Sequence, residues 1–359
     1  MKALKLRQVC LFFIAFLPVT KFFMLPSILA LNSGEDLWLS SLLSIGLDLL
    51  TVVILTIVCV KSKMTFYNLL EFNFGKIGSK IILSFYLVYF LIKSIIPINE
   101  QETFIENTLY ENIPTILSFM PFFVFAFYLC QKQLRILGRL ADVMWIFTSL
   151  GFVFLCAISI SNVDFTAILP IGARGFNNIL RASYKSHIWQ GDCVYLTFFI
   201  GNFTVNKNKA WKIPLCHFIA SFLVVLFMIM FYGIFTSIAH RQTFSLTEIA
   251  KYSSVINAVG RFDYIGIMLI LLSTAISISL PLFFATDICA YLFNVKKRWI
   301  FALIICILIF CIIKFLGEYV YTIQNLLLTY GNAFFIVFSN ILPMLTIFLK
   351  KEKNLDKTF

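Results

Sequence analysis

Charged side chains are scarce in this sequence of 359 residues, where Asp, Glu, Lys and Arg together make up only 13%. Soluble domains carry about 25% of these residues, so the composition excludes an ordinary soluble protein. Hydrophobic residues account for 60% of the chain, and the mean hydropathy is +0.93. The sequence therefore predicts a protein that crosses a lipid bilayer several times.

The sequence is also poor in residues that hold metals or carry out catalysis. Its three histidines, His187, His217 and His240, lie far apart, and its nine cysteines form no C-x-x-C pair. It contains neither an ATP-binding loop nor a recognisable catalytic triad. We therefore expect no metal site, no disulfide, no cofactor and no enzymatic activity.

Ten apolar segments are long enough to cross the membrane, because about 20 helical residues with a rise of ~1.5 Å each span ~30 Å of hydrocarbon. The ten predicted spans are residues 9–31, 37–60, 79–98, 113–131, 141–161, 187–205, 211–239, 262–291, 299–316 and 325–349. The sequence thus predicts an all-α integral membrane protein with ten transmembrane helices.

The basic residues predict how the chain is oriented. Twenty of the 29 basic residues lie at the termini and in every second connection, and the net charge is +12. By the positive-inside rule these segments face the cytoplasm, so both termini are expected to be cytoplasmic. Topology accounts for the basic excess, and we expect no nucleic-acid partner.

The first span contains features that a simple hydrophobic anchor does not need. Pro18 and Pro26 interrupt the helix, and Lys21 lies between them. Each proline removes a backbone donor, and a lysine at the bilayer centre costs about 3 kcal/mol on insertion scales, so protein, water or a ligand must satisfy both. This pattern favours a broken helix at a transporter-type binding site. A kinked helix with a snorkelling lysine is an open alternative.

The ten spans divide into two halves of five, residues 9–161 and 187–349, within a single transmembrane domain of residues 1–359. The sixth span opens the second half and is interrupted by Gly191 and Gly201, with Asp192 between them. Five spans per half give the two halves opposite orientations in the membrane. Interrupted segments at matching positions predict a five-plus-five inverted repeat with broken helices 1 and 6 and a site near the bilayer midplane.

The predicted ligand site lies between the broken spans and the third and eighth spans. The candidate binding residues are Thr20, Lys21, Phe22, Tyr86, Tyr89, Lys93, Asp192, Tyr195, Ser273 and Ser277. Ser273 and Ser277 share a helix face because they are four residues apart. Small residues that ease helix packing in membranes show the same spacing, so that interpretation is also open.

Depth in the membrane predicts two charge pairs. Lys21 and Asp48 lie near the middle of the first two spans, so we expect a direct or water-bridged pair or a shared ligand, unless Asp48 is protonated. Lys93 and Asp192 each lie about five residues from the outer end of a span, at similar depth. An ammonium and a carboxylate facing one cavity match an amino acid zwitterion, unless the two side chains snorkel separately.

Two connections on the predicted outer side have unusual composition. The first is acidic and is expected to be a solvated face, or to attract a cationic ligand or basic partner. Its acidic residues are Glu100, Glu102, Glu106 and Glu111. The second contains Ser245-Leu246-Thr247-Glu248, a capping pattern that predicts a short external helix over the site. On the inner side, residues 65–80 alternate between apolar and polar and are expected to lie along the interface.

Short motifs are spread over almost the whole chain, from about residue 8 to residue 349. They are Phe23-Met24-Leu25-Pro26, Glu35-Asp36-Leu37-Trp38-Leu39-Ser40, the stretches 134–140 and 163–170, Gly175, the stretch 179–183, Gly191-Asp192 and the stretch 260–263. Together they resemble the B subunits of bacterial spore germinant receptors, and the block at 163–183 is the most specific part.

That family belongs to the amino acid–polyamine–organocation superfamily. The resemblance implies the five-plus-five fold, a site for a small germinant that is usually an amino acid, and assembly with an A-type subunit and a C-type lipoprotein in the spore inner membrane. The leading hypothesis is a ligand-sensing subunit that triggers germination. The alternatives are an amino acid or amine permease that transports its ligand, and a structural subunit whose site has decayed.

The first span departs from the family pattern in one place. The family usually has small residues before its Leu-Pro, which free the backbone for a ligand carboxylate, whereas this chain has Lys21-Phe22-Phe23. Either the ligand differs, or the site is blocked, or Lys21 replaces backbone amides as the partner of an anion.

Overall fold

A computed structural model describes residues 4–108, 115–252, 263–295, 297–315, 319, 322 and 325–349, and every regular element in them is helical. The N-terminal part contains α1 (Leu6–Phe16), α2 (Leu25–Ser33), α3 (Leu37–Lys61), α4 (Phe66–Thr108), α5 (Thr115–Cys130) and α6 (Arg135–Ser159). The C-terminal part contains α7 (Phe176–Lys185), α8 (Val194–Phe199), α9 (Lys212–Phe235), α10 (Ser245–Lys251), α11 (Asp263–Leu292) and α12 (Arg298–Phe315). The last segment alternates π- and α-helical turns: Leu327–Gly331, α13 (Asn332–Ile336), Val337–Ile341 and α14 (Leu342–Leu345).

Seven helical stretches in the described residues are long and apolar enough to cross a membrane. They are Leu25–Lys61, Phe66–Asn107, Arg135–Asn162, Lys207–Arg241, Tyr264–Leu292, Arg298–Phe315 and Leu327–Phe348. The fourth predicted span contributes a shorter apolar helix, Phe119–Cys130. Breaks divide the first and the sixth predicted spans into short helices. The start of the first span and the whole of the sixth are therefore shorter than a continuous membrane span.

The first predicted span is broken, as its prolines indicated. Helix α1 ends at Phe16, one 3₁₀ turn covers Val19–Phe22, and α2 begins at Leu25 with Pro26 in its first turn. Proline is tolerated at that position because the first helical N–H groups have no partner within the helix. Lys21 therefore lies on the short turn between two half-length helices.

The sixth predicted span is also broken, but it begins earlier than expected. Helix α7 occupies residues that were predicted to form the external connection, about ten residues before position 187. This helix is amphipathic: Ile179 and Ala182 are buried, while Arg181 is exposed. Hydropathy alone therefore did not reveal it. The break follows at Gly191, whose φ of +77° is in the left-handed region.

The broken segments lie at the centre of the helix packing. Helix α1 packs against α6 and α9, α7 packs against α2 and α3, and α11 packs against α4 and α6. Aromatic rings fill the space between these layers, as in the stack of Tyr195 on Phe284 with centroids 5.2 Å apart. This packing holds both breaks in the protein interior.

The acidic connection predicted after the third span is wrong for three of its four acidic residues. Helix α4 continues to Thr108, so Glu100, Glu102 and Glu106 lie on the helix. Glu106 is half-buried, and Glu100 and Glu102 are only 2% and 6% exposed. Glu100 accepts a hydrogen bond from Trp189 Nε1 (2.7 Å), and Glu102 pairs with Lys314. These carboxylates are part of the packed interior because the helix is about ten residues longer than the apolar run. Glu111 lies outside the described residues.

The short helix predicted at Ser245 is present as α10, and most of its residues are buried; its place on the outer side stays a prediction. The capping pattern is not used: Phe244 is the N-cap residue and no side-chain hydrogen bond caps the helix. Instead, the Ser245 N–H donates to the Phe23 carbonyl (3.2 Å), which joins α10 to the break in the first span. The motif at 260–262 lies outside the described residues.

The inner stretch at 65–80 forms the start of α4. Gly75 has a φ of 69° and a ψ of 177°, so a bend separates residues 66–74 from the long remainder of the helix. A separate orientation for this short piece agrees with the alternating pattern. Its place along the membrane interface, like the orientation of the whole chain, stays a prediction.

Candidate functional site

The two breaks bring three buried charges together. The Lys21 ammonium pairs with the Asp192 carboxylate and donates to the Leu17 carbonyl (2.7 Å). The Lys93 Nζ lies 3.2 Å from Asp192 Oδ1 and donates to the Gln190 carbonyl (2.6 Å). Lys21 is fully buried, and Lys93 and Asp192 are 4% and 8% exposed. One carboxylate thus bridges two ammonium groups, which we call the charge cluster: Lys21, Lys93 and Asp192.

The predicted contact between Lys93 and Asp192 is therefore confirmed, whereas a direct Lys21–Asp48 ion pair does not form. Asp48 Oδ2 instead accepts the Gly191 N–H (2.8 Å), and its Oδ1 accepts the Asn340 side-chain amide (2.8 Å). Position near the middle of the first two spans predicted a similar depth for Lys21 and Asp48 but not the direction of either side chain. Asp48 therefore holds the backbone at the Gly191 break through a hydrogen bond, and Lys21 pairs with Asp192, the residue after Gly191.

Asn340 is a functional candidate that sequence reasoning missed. Its amide nitrogen lies 2.8 Å from Asp48 Oδ1 and 3.0 Å from Thr51 Oγ1, and the residue is fully buried. An asparagine in the middle of the apolar segment 325–349 was a visible signal, because polar groups inside a membrane span need partners.

Gly191 is required by both conformation and space. Besides its positive φ, a Cβ added there would lie 2.6 Å from the Ser339 Cβ and 3.6 Å from the Tyr89 hydroxyl. The close approach of the backbone lets the Gly191 N–H reach Asp48. Glycine is the one residue that allows this geometry at no steric cost.

The carbonyls freed at the end of α1 are satisfied by side chains from neighbouring helices. Ala15 O accepts from Thr148 Oγ1 (2.9 Å), and Phe16 O accepts from Ser277 Oγ (2.9 Å). Thr148 Oγ1 also lies 2.8 Å from Ser273 Oγ. Ser277 therefore joins α11 to the broken first span and Ser273 joins it to α6, and the structure does not bring their hydroxyls to the charge cluster. This arrangement agrees with the packing interpretation of the two serines.

Two of the predicted tyrosines, Tyr89 and Tyr195, lie beside the charge cluster. The Lys93 Nζ is 6.0 Å from the ring centroid of Tyr89 and 5.9 Å from that of Tyr195, within reach of cation–π attraction. Within the described residues, the buried hydroxyls of Tyr86 and Tyr89 and the Gln190 amide nitrogen have no hydrogen-bond partner. Most buried polar groups in folded proteins have such a partner, so these three groups are candidates for contact with a ligand.

The two remaining candidates on the first break are not part of this cluster. Phe22 packs its ring against Phe152 and Phe227, with centroids 5.6 and 4.5 Å apart. Thr20 is half-buried, and none of the hydrogen bonds of the charge cluster involves its side chain. Of the predicted binding residues between Pro18 and Pro26, only Lys21 belongs to the charge cluster.

The motifs that resemble germinant receptors contact one another. Asp36 is buried, and its Oδ1 accepts the Gly172 N–H (2.7 Å). The neighbouring Glu35 carboxylate lies 3.6 Å from Arg174 Nε. The acidic pair after the first span thus holds the segment that precedes α7. These motifs position the entrance to the sixth span and not the charge cluster itself.

Comparison with known proteins identifies the family. The sequence pattern of spore germination proteins, the spore permease family, matches residues 4–319. The chain belongs to this family. A search of curated proteins gave no match.

Solved structures with the same fold are membrane transporters. A variant of the Eremococcus coleocola manganese transporter has a TM-score of 0.59 and 13% identity, covering 94% of this chain and 77% of the transporter chain. The same transporter in complex with an aromatic bis-isothiourea substituted compound has a TM-score of 0.58 and 11% identity, covering 97% of this chain and 81% of that chain. At this identity the likeness shows a shared fold and not a shared cargo. This member of the spore permease family is thus a multi-pass membrane protein with a transporter-like fold.

Proposed function

We propose that the chain is the ligand-sensing B-type subunit of a spore germinant receptor, and that it binds a small germinant at the charge cluster. The proposal includes ten transmembrane helices in a five-plus-five inverted repeat, 9–161 and 187–349, with both termini in the cytoplasm. It also includes assembly with an A-type subunit and a C-type lipoprotein in the spore inner membrane. The family match and the paired breaks in a transporter-like fold support it.

One observation carries the proposal: Asp192, next to the break at Gly191, bridges Lys21 and Lys93 in the protein interior. An amino acid has complementary groups for this arrangement. Its carboxylate would take the place of Asp192 beside Lys93, and its ammonium would pair with the released Asp192. Unpartnered hydroxyl and amide groups nearby, those of Tyr89 and Gln190, would complete the polar contacts.

In this mechanism the ligand competes with an internal ion pair. The unliganded cluster holds the two breaks together through Asp192, and ligand binding exchanges that contact for contacts with the ligand. A ligand shifts a conformational equilibrium only as far as its affinity differs between the two states. In this mechanism the Lys93–Asp192 contact exists only without ligand, so its replacement by contacts with the ligand gives the two states different affinities for the ligand. The resulting conformational change would be passed to the partner subunits as the germination signal.

A permease that transports its ligand is the second candidate, and the fold shared with a transporter favours it. The charge cluster argues against a divalent metal as the cargo of this chain. Two buried ammonium groups, of Lys21 and Lys93, flank the only carboxylate of the cluster, and this raises the electrostatic cost of bringing a metal cation there. The transported solute would then be an organic zwitterion or anion.

A ligand screen tests the proposed site. Purified protein is heated in the presence of each proteinogenic amino acid, and of nucleosides and sugars, since a ligand that binds the folded state raises the melting temperature. An amino acid should stabilise the unmodified chain and the control Asp142→Asn, but not Asp192→Asn. Asp142 is a suitable control because it pairs with Arg7 elsewhere in the molecule, at 3.0 Å. Equal stabilisation of all three proteins would remove the cluster from the mechanism.

Uptake separates the two candidates. A sensor should bind the stabilising amino acid without moving it into proteoliposomes, whereas a permease should accumulate the labelled compound. Sustained uptake that Asp192→Asn abolishes would replace the sensing proposal by the transport proposal.

A further inference from the structure

A cavity that lies apart from the charge cluster has a distinct chemical character. It has a volume of about 380 Å³ and lies between α2, α7, the stretch 240–243 and the stretch 325–329. Three basic side chains line it: Lys185, His240 and Arg241. Its described lining residues include no aspartate or glutamate.

The basic side chains of this cavity have no acidic partner among the described residues, because no carboxylate there lies within ion-pair distance of Lys185, His240 or Arg241. Lys185 Nζ donates to the neutral side chain of Asn32 (2.8 Å), and His240 Nδ1 contacts the Ser237 carbonyl (2.9 Å). Among the described residues, the cavity thus has basic side chains and no counter-charge.

A neighbouring arginine shows the contrast. Arg174 lines an adjoining cavity of about 200 Å³, which shares Leu31 and His240 with the first. Its guanidinium is already engaged, because Nε lies 3.6 Å from the Glu35 carboxylate. Arg174 therefore provides a matched arginine that is close to the basic cavity but has its own counter-charge.

We propose that the basic cavity is a binding site for a small anion that carries a carboxylate or a phosphate group. Arg241 is exposed at the cavity and has a planar guanidinium that binds such groups with two parallel hydrogen bonds. Lys185 supplies a second, half-buried cation, and Gln242 and Thr243 supply uncharged polar groups. A concave surface with charges of one sign also raises the local concentration of ions of opposite sign.

This site is separate from the proposed amino acid site but is connected to it along the chain. Met24 lines the basic cavity and follows Lys21 by three residues in the sequence. The two residues between them, Phe22 and Phe23, are buried. Neither Lys93 nor Asp192 lines the cavity. Binding of an anion here would hold α2 against the stretch 240–243, beside the break in the first span.

Inorganic phosphate is the probe that tests the site. The full-length protein is placed in nanodiscs of phosphatidylcholine, and its melting temperature is followed during a phosphate titration against sodium chloride of equal ionic strength. The unmodified protein and Arg174→Gln should be stabilised by phosphate. Arg241→Gln and Lys185→Gln should each weaken the apparent affinity by about tenfold or more, the value of one lost charged hydrogen bond.

Nanodiscs that contain phosphatidylglycerol identify the source of the anion. A rise in melting temperature that depends on Arg241, in these discs without added phosphate, would assign the site to a lipid headgroup. A rise with phosphate alone would assign it to a soluble anion, and both results support an anion site at this cavity.

The proposal is overturned if phosphate and anionic lipid both leave the melting temperature unchanged. It is equally overturned if Arg174→Gln weakens binding as much as Arg241→Gln, because the effect would then follow net charge and not the cavity. Arg241→Lys guards against misfolding of the glutamine variant: it keeps the charge and should retain part of the affinity. These results are independent of whether an amino acid binds at the charge cluster.

Discussion

Removing the central carboxylate should destabilise the protein more than removing either lysine. In Asp192→Asn, two buried ammonium groups lose their shared counter-charge, and breaking a buried pair in this way costs about 3–5 kcal/mol. In Lys21→Met, Asp192 keeps its contact with Lys93 at 3.2 Å, so the remaining pair is still neutral. We expect that change to cost about 1–3 kcal/mol, the value of a lost charged hydrogen bond.

The assay is thermal unfolding of the purified variants in one detergent, where about 1 kcal/mol corresponds to a shift of roughly 2–4 °C in a domain of a few hundred residues. Asp192→Asn should lower the midpoint by on the order of 10 °C, and Lys21→Met by roughly half as much or less. Asp142→Asn is the matched control, since its partner Arg7 is 71% exposed and such pairs contribute about 1 kcal/mol or less. If Asp192→Asn shifts the midpoint no more than Asp142→Asn, the charge cluster does not hold the breaks together.

Three further outcomes are expected. Gly191→Ala should lower stability by about 2–5 kcal/mol, measured by thermal unfolding, because an added Cβ meets Ser339 and the residue keeps a positive φ; an unchanged midpoint would contradict the close approach. Asn340→Leu should lower the free energy of unfolding by about 1–3 kcal/mol, because Asp48 loses a hydrogen-bond donor. The isosteric variant Asn340→Asp should be no more stable than Asn340→Leu, because its carboxylate repels that of Asp48. For topology, an impermeant thiol reagent added to intact cells should label a cysteine at the exposed position Asn107 and not one at the exposed position Lys63; the reverse pattern would invert the orientation.

The features that could be predicted from the sequence are those set by local chemistry. Two prolines and a lysine in one span indicated the break near Lys21, and Gly191 with Asp192 indicated the second break. Counting residues from the predicted span ends placed Lys93 and Asp192 at one depth, and the two side chains do meet. Both helices extend about ten residues beyond the predicted ends, so the two counts agree because both ends were displaced by nearly the same length.

Directions around a helix axis could not be predicted in the same way. Lys21 and Asp48 were predicted at similar depth, but they have different partners. Asp48 accepts hydrogen bonds from the Gly191 N–H and the Asn340 amide, whereas Lys21 forms an ion pair with Asp192. A consequence is that Lys21→Met combined with Asp48→Leu should be worse than Lys21→Met alone, where a direct pair would predict recovery. Which partner a side chain contacts depends on the tertiary packing of the helices, and this packing cannot be predicted from each span considered separately.

Helix ends were the other source of error. Glu100 and Glu102 were placed in a solvated connection because they follow the apolar run, yet α4 continues through them and buries both. Helix α7 was missed for a related reason: Ile179 and Ala182 form one buried face in an otherwise polar segment. Hydropathy averages over both faces of a helix, so it underestimates helices that are buried on one side only.

The central claim is that Lys93 holds the carboxylate of an amino acid in the place that Asp192 occupies without ligand. Titration calorimetry can test it with the amino acid that stabilises the protein most and with the methyl ester of that amino acid, on the unmodified chain and on Lys93→Gln. We predict that Lys93→Gln weakens binding of the free amino acid by about tenfold or more, as expected for a lost charged hydrogen bond, and changes binding of the ester much less. Equal losses for the acid and the ester, or no loss for either, would contradict the account.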